Sequence, residues 1–377
     1  MPVGRHAPDL TLDARVEDGP SRYEFHTVDG VTSPDAFRDA DLALLEALWD
    51  DPLGDLCVPE ANYGVVGCVL SAVAGSTHLT ESSARAARCC ERNVAANGVD
   101  ATVSLLADCT DLDRTFDTAA YAPKSYTPVP VGKRRLVDAL ASLRPGGSLY
   151  VAGTDRTGLS RYEDCLTDVA ASVETVGDHA GCRVLAATRP DELDRPAFVT
   201  PRTLAPTVDG VDLELVSVPG TFSAGSLDDG TRLLLEAATV DDGERVLDLC
   251  CGYGAVGAYA GRVADCDLWL SDDDAVATAC AECSLAASGV EGTVVTADCV
   301  DGVADRRFDR ILSNPPTHAG AGVLSDLFAG MERVLAPGGR ATLVHHRDLD
   351  LGPYLDRFET VEQVRVGAEH VVLEARP

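Results

Sequence analysis

Two separated stretches of this chain repeat two others, and that constrains the fold more than any motif does. GVTSPDAFRDADLALLEA (Gly30 to Ala47) lines up without gaps on GTFSAGSLDDGTRLLLEA (Gly220 to Ala237), and LTESSARAARCCERNVAANGV (Leu79 to Val99) on LSDDDAVATACAECSLAASGV (Leu270 to Val290). Ala-Asp-Cys recurs at 107 and 297, Phe-Asp at 116 and 308, and Leu-x-Pro-Gly-Gly at 143 and 335. A period of about 190 residues means a duplicated domain and not a solenoid. Each half is predicted to be a mostly parallel sheet flanked by helices. A length of 377 residues suits two domains of ordinary size.

The second half carries the more specific pattern. DLCCGYGAVG (Asp248 to Gly257) reads as a buried strand that breaks at Gly252 and Gly254 and resumes as a helix. Glycines in such a turn let the backbone approach a ligand, and the helix start offers free N–H groups. LWL (Leu268 to Leu270) then runs into Asp272, Asp273 and Asp274, a carboxylate at a strand tip where a ribose diol would be gripped. VVTAD (Val294 to Asp298) ends in another acid, and FDRILSNPP (Phe308 to Pro316) ends in Asn-Pro-Pro. Polar residues at four strand ends predict a ligand cleft along one edge of an open sheet.

With Asp-x-x-x-Gly-x-Gly, acids ending the second and third strands and Asn-Pro-Pro ending the fourth, the chain resembles the class I S-adenosylmethionine-dependent methyltransferases that act on planar amino nitrogens. SNPPTH (Ser313 to His318), preceded by PGTFSAGSLDDGTRLLLEA (Pro219 to Ala237), is similar to the bacterial rRNA guanine-N2 methyltransferases in particular. The resemblance implies two tandem Rossmann-like domains with seven-stranded sheets, the first copy degenerate. It implies S-adenosylmethionine held by Asp248, Gly252, Gly254, Asp272 and Asp298, and the target amine at Asn314. The partner it implies is ribosomal RNA or a ribosomal subunit, the small one favoured.

An exocyclic amine is a poor nucleophile because its lone pair is delocalised into the ring. The side-chain carbonyl of Asn314 and the backbone carbonyl of Pro315 are expected to draw its hydrogens out of plane and aim the lone pair at the methyl carbon. Pro315 and Pro316 stiffen the loop. One departure stands out: the amino-methylating families place an aromatic at the fourth position of this motif, and here it is Thr317. His318 and Phe222 are the candidates to supply the stacking instead.

The halves differ where chemistry would be done. DLCC-GYGAVG becomes DLCVPEANYGVVG, which reads as Pro59-Glu60-Ala61-Asn62 replacing Gly252, and Asn314-Pro315-Pro316 becomes Ala122-Pro123-Lys124. The first copy is therefore expected to have lost the cofactor and the amine acceptor, although Glu81 and Asp108 stand in for Asp272 and Asp298. APKSYTPVPVGKRR (Ala122 to Arg135) gathers Lys124, Lys133, Arg134 and Arg135 between Tyr121 and Tyr126. That predicts an RNA-holding patch, with a solvated loop as the plainer alternative.

Domain limits are expected at 1–188, a proline-rich linker at 189–210 and a catalytic domain at 211–377, with residues 1 to about 22 patternless and the last residues forming an antiparallel strand. The formal net charge is −30, and Lys124 and Lys133 are the only lysines. An acidic, arginine-using chain reads as adaptation to high salt. No stretch approaches the ~18 apolar residues of a membrane span, so a cytoplasmic protein, and a monomer, is expected. The thirteen cysteines fall mostly on strand ends and alanine-rich helices, the habit of small buried groups in a reducing compartment. Cys280-x-x-Cys283 lacks a second pair, so no metal is expected. Other readings remain open: a methyltransferase for protein glutamine, adenine N6 or a small molecule, or a ribosome-assembly factor that binds the cofactor without turnover.

Overall fold

The computed structural model describes residues 10–14 and 19–377. The chain divides between Thr200 and Pro201 into two compact units. The boundary falls inside the segment read as linker, because Arg202–Leu204 pairs with Leu215–Ser217, and Thr207–Val208 with Val211–Asp212. Residues 201–210 thus belong to the second unit. Leu193 and Phe198, on the other side, pack against the core of the first. The patternless N-terminus also needs correcting: Leu10–Asp13 forms an antiparallel pair with Arg22–Phe25, while residues 1–9 and 15–18 lie outside the described residues.

Numbering only the strands of the two large sheets, the first unit contains β1 (Asp55–Val58), β2 (Ser76–Glu81), β3 (Thr102–Leu105), β4 (Phe116–Tyr121), β5 (Leu143–Gly153), β6 (Ser172–His179) and β7 (Cys182–Thr188). Their order across the sheet is β3-β2-β1-β4-β5-β7-β6, parallel except for β7, which is antiparallel to both neighbours. The second unit contains β8 (Arg245–Leu249), β9 (Asp267–Asp272), β10 (Thr293–Thr296), β11 (Phe308–Ser313), β12 (Leu335–His346), β13 (Thr360–Val366) and β14 (His370–Arg376). Their order is the same, β10-β9-β8-β11-β12-β14-β13. The final strand is antiparallel, as expected from the sequence.

Buried parallel strands need apolar side chains on both faces, and the central ones have them. Leu247, Leu249, Ile311 and Leu343 pack beneath Phe328 and Met331 of the helix Ala321–Val334. Each such side chain contributes about 1.5–3 kcal/mol by leaving water, which fixes the strands well enough for their tips to hold a site. Chain order reverses at the sheet centre, between β8 and β11, so the crevice outside their carboxyl ends is where an open α/β sheet binds ligands. No helix among the described residues is long and apolar enough to cross a membrane. None of the thirteen cysteines, all among the described residues, is in a disulfide, and Cys283 is exposed instead of buried.

The two sheets revise the alignment of the halves. In the first unit Leu56 and Cys57 pair with Thr118 and Ala119; in the second, Val246 and Leu247 pair with Arg310 and Ile311. Counting from these pairs, Val58 takes the place of Asp248 and Asn62 that of Gly252. Backbone torsions agree: φ is +53° at Glu60 and +63° at Cys250, +58° at Asn62 and +53° at Gly252, +90° at Gly64 and +82° at Gly254. No insertion exists in the first copy. The matching Asp-Leu-Cys triplets lie three residues out of register, and Gly252 is replaced by one asparagine.

Candidate active site

At the end of β8 the chain turns through Cys250, Gly252 and Gly254, all at positive φ, into the helix Ala255–Val263. The two glycines have different tasks. A Cβ added at Gly252 would meet no atom within 4 Å, so this residue faces open space above the strand ends. At Gly254 a Cβ would come within 3.0 Å of Ala281, so this glycine lets two helices close together. Gly257 is tighter still, 2.6 Å from Leu270.

Carboxylates surround the turn. Asp272, at the tip of β9, accepts the Gly252 N–H at 2.8 Å with Oδ2 and the Asp274 N–H at 3.0 Å with Oδ1. Burial nonetheless raises its pKa. Asp248 is fully enclosed: Oδ2 accepts the Gly257 N–H at 2.8 Å, while Oδ1 has no partner. Burial, opposed by that bond and reinforced by Asp272, pushes it up to about 8. Asp298 is buried beyond β10, where the Ala297 N–H reaches the Asp272 carbonyl at 2.8 Å and draws the two strand ends together.

On the other side of the crevice Ser313 Oγ donates to the Leu249 carbonyl at 2.7 Å, tying β11 to β8 immediately before Asn314. Asn314 Nδ2 donates to Thr231 Oγ1 at 2.9 Å and to Asp228 Oδ2 at 3.2 Å. A carboxylate can only accept, so Asp228 dictates which end of the amide faces it, and the carbonyl of Asn314 is turned the other way. Asp228 also caps the helix Asp229–Ala237 through the Thr231 N–H at 2.8 Å. Tyr253, buried below, donates to the Ser226 carbonyl at 3.3 Å and steadies the same loop. Sequence reasoning missed Asp228, Thr231 and Tyr253. An aspartate before an amphipathic run is a readable helix cap, but its second partner is not.

Pro315 is buried and Pro316 exposed. The Pro315 carbonyl already accepts the Thr317 N–H at 2.9 Å, which occupies one of its two lone pairs. Thr317 is half-buried, His318 exposed and Phe222 62% exposed. The second unit thus brings Asp248, Gly252, Asp272, Asp298 and Asn314 to one sheet edge, with carboxylates on one side and an oriented amide on the other. The open face of Gly252 gives a ligand a place to lie beside Asp272 and Asp298.

In the first unit the same place is filled by side chains. Lys124, which corresponds to Pro316, donates to Glu60 Oε2 at 3.1 Å and to Glu81 Oε1 and Oε2 at 3.1 and 3.2 Å. Arg135 reaches Glu60 Oε1 at 2.9 Å, and the Asn62 N–H reaches Glu81 Oε1 at 2.5 Å, as Gly252 does Asp272. Burial pushes Glu60 up, but Arg135 and Lys124 outweigh it and hold it at about 2. The Lys124 ammonium is disfavoured by burial and held by Glu81 and Glu60, which raise its pKa.

The RNA-holding patch therefore needs correcting. Lys124 is buried and neutralised within its own half, and Tyr121 is buried as well. Arg134 pairs with Asp108 at 2.9 Å and Asp138 at 3.2 Å, Arg135 is spent on Glu60, and Lys133 lies over the Phe198 ring at 5.7 Å. Acids of the same unit thus already hold Lys124, Arg134 and Arg135, while Tyr126 is exposed.

A model of the methyltransferase small domain matches residues 22–186 and again 212–374. A ribosomal RNA small subunit methyltransferase C of Pseudomonas aeruginosa is 36% identical over 232 residues, which are 59% of this chain and 68% of that one. Its Escherichia coli namesake is 32% identical over 266 residues, 69% of this chain and 74% of the other. Among solved structures, a T. thermophilus 16S rRNA N2 G1207 methyltransferase in complex with AdoMet and guanosine superposes with a TM-score of 0.79. It covers 98% of both chains at 24% identity.

Proposed function

The chain belongs to the methyltransferase small domain family, and from that premise we propose that its second half transfers a methyl group from S-adenosylmethionine to the exocyclic N2 of a guanine in small-subunit ribosomal RNA. The relatives that share most of its length are named as small-subunit ribosomal RNA methyltransferases, and the T. thermophilus N2 G1207 enzyme of the same fold was solved with AdoMet and guanosine. The observation that carries the reading is the Asn314 amide, held by Asp228 and Thr231 so that an acceptor oxygen is presented at the tip of β11.

S-adenosylmethionine supplies an electrophilic methyl carbon on a positively charged sulfur. Gly252 and Asp272 would hold its ribose side, with Asp298 at the adenine end, while Asp248, held protonated by burial, shapes the turn through Gly257. Asn314 Oδ1 and the remaining lone pair of the Pro315 carbonyl accept the amine hydrogens of the base. That withdraws the nitrogen lone pair from the ring and directs it at the methyl carbon. The N–C bond forms as the C–S bond breaks, sulfur takes the electron pair, and one amine proton is released.

In the first half Lys124 places its ammonium against Glu81, so the equivalent of the ribose-holding carboxylate is consumed and the copy serves as scaffold. An acidic surface with arginine as its main cation suits a cytoplasm of high salt.

The test is label transfer from methyl-labelled adenosylmethionine, in molar KCl, to small subunits lacking the modification, with large subunits, DNA and bulk protein as parallel acceptors. Label is expected in the small-subunit RNA alone, and Asn314→Ala should reduce it by about 10²-fold or more with adenosylhomocysteine binding retained. Label in another acceptor overturns the substrate, and an Asn314→Ala variant with full turnover overturns the mechanism.

A further inference from the structure

The first unit, though its cleft is filled, shows which residues of the second face each other across the cleft entrance. Two loops frame that entrance. One runs from Gly30 to Arg38 and from Gly220 to Asp228, and it has the same shape in both halves. Gly30 and Gly220 have φ of +98° and +108°, Ser33 and Ser223 of +54° and +48°. The N–H of Val31 reaches the Val28 carbonyl at 3.4 Å, and that of Thr221 the Val218 carbonyl at 3.2 Å.

The other loop follows β4 and β11. Phe116 and Tyr121 pair with Leu143 and Val151, Phe308 and Ser313 with Leu335 and Leu343. Thr127 N–H to Lys124 carbonyl at 2.9 Å is matched by Ala319 N–H to Pro316 carbonyl at 3.0 Å. Helices then begin at Val129 and Ala321. Even the link between the loops is shared, with its chemistry exchanged: Arg38 donates to the Ala122 carbonyl at 3.0 Å where Asn314 donates to Asp228.

In the first unit the tips of these loops touch, Thr32 Oγ1 lying 3.2 Å from Tyr126 OH. The corresponding residues of the second unit are Phe222 and His318. A pair of hydroxyls that bonded the entrance shut has become a benzene ring and an imidazole, both exposed to solvent, and the benzene ring offers the imidazole neither donor nor acceptor. By this correspondence Phe222 and His318 stand at the tips of the two loops beside Asn314, and a planar base between them needs a gap of about 7 Å, twice an ordinary carbon–carbon contact.

We propose that Phe222 and His318 hold the target base between them, one on each face, and together replace the ring that Thr317 lacks. This rests on the reading of the second half as a base methyltransferase. Stacking is nearly indifferent to the identity of the base, so the slot seats the ring while Asn314 selects its amine.

The experiment compares wild type with Phe222→Ala, His318→Ala, Phe222→Trp and His318→Phe. For each, KM for unmethylated small subunits is measured, together with quenching of 2-aminopurine riboside, whose exocyclic amine sits on C2 as in guanine. Each alanine variant is expected to raise KM and weaken quenching by about tenfold, with adenosylhomocysteine binding unchanged. The aromatic replacements should stay within about threefold of wild type. An alanine variant that keeps wild-type KM and quenching overturns the slot. A wild-type protein that methylates no RNA overturns the functional reading beneath it, a different result from failure of the variants alone.

Discussion

Asp228 accepts a hydrogen from the Asn314 amide at 3.2 Å, across 86 residues of sequence, with the same oxygen that accepts the Thr231 N–H. One carboxylate therefore caps a helix and sets the orientation of the amine-binding amide. Asp228→Asn separates the two tasks. Asparagine caps a helix as well as aspartate does, so Tm should shift by little. It can also present an N–H to Asn314, so the amide is no longer forced to one orientation. We expect kcat to fall at least tenfold with KM for adenosylmethionine nearly unchanged, read by single-turnover label transfer; an unchanged kcat would show that Asp228 only caps.

Lys124 is the counter-ion of two buried carboxylates in the first unit. Removing one partner of a buried ionic cluster costs about 3–5 kcal/mol, whereas replacing the whole set by uncharged groups can be nearly neutral. Lys124→Met should accordingly lower the melting temperature of the first unit steeply, and adding Glu60→Gln and Glu81→Gln should recover most of the loss. The pH dependence has a sign. With Glu60 at about 2 when folded, below its ordinary value, its contribution is complete above that ordinary value and is lost as pH falls toward 2. Differential scanning calorimetry of the single and triple variants decides the matter, and equal melting of wild type and Lys124→Met refutes it.

The legibility of this chain in sequence follows the distance over which its parts interact. The strand tips at Asp272, Asp298 and Asn314 could be read because each follows an apolar run directly, and the duplication because long helices preserve their pattern. The alignment near Asp55 was misread because Asp-Leu-Cys matches Asp-Leu-Cys, while strand pairing, which sequence does not display, puts Val58 opposite the place of Asp248. Lys124 looked like a phosphate ligand because Glu60 and Glu81 lie 64 and 43 residues away. The same applies to Asp228, whose capping pattern was visible and whose hold on Asn314 was not.

Charge predicts a response to salt. There are 61 acidic and 31 basic side chains, and the excess acids repel one another over a screening length of about 10 Å at 0.1 M salt but about 3 Å at 1 M. Exposed ion pairs such as Arg245–Asp309 and Arg144–Asp55 weaken over the same range, yet each is worth only about 0–1 kcal/mol. The repulsion should dominate. Tm is expected to rise with KCl from 0.1 to about 2 M, and a monotonic fall in thermal melts would contradict this.

Asp248 makes the sharpest pH prediction. One oxygen is satisfied by Gly257 N–H at 2.8 Å, the other by nothing, and burial pushes the group up to about 8. A carboxyl raised above its unfolded value binds a proton in the folded state that the unfolded chain has already lost. Stability from this group is therefore complete below the ordinary carboxylate range and drains away as pH rises toward 8. The slope approaches about 1.4 kcal/mol per pH unit in between. Asp248→Asn keeps an oxygen for Gly257 and cannot titrate. Measured by urea unfolding at constant salt, wild type should lose stability relative to this variant from about pH 4 to about pH 8 and run parallel to it outside that window. Parallel curves throughout would mean that Asp248 is ionised in the folded protein, with a counter-charge meeting its second oxygen.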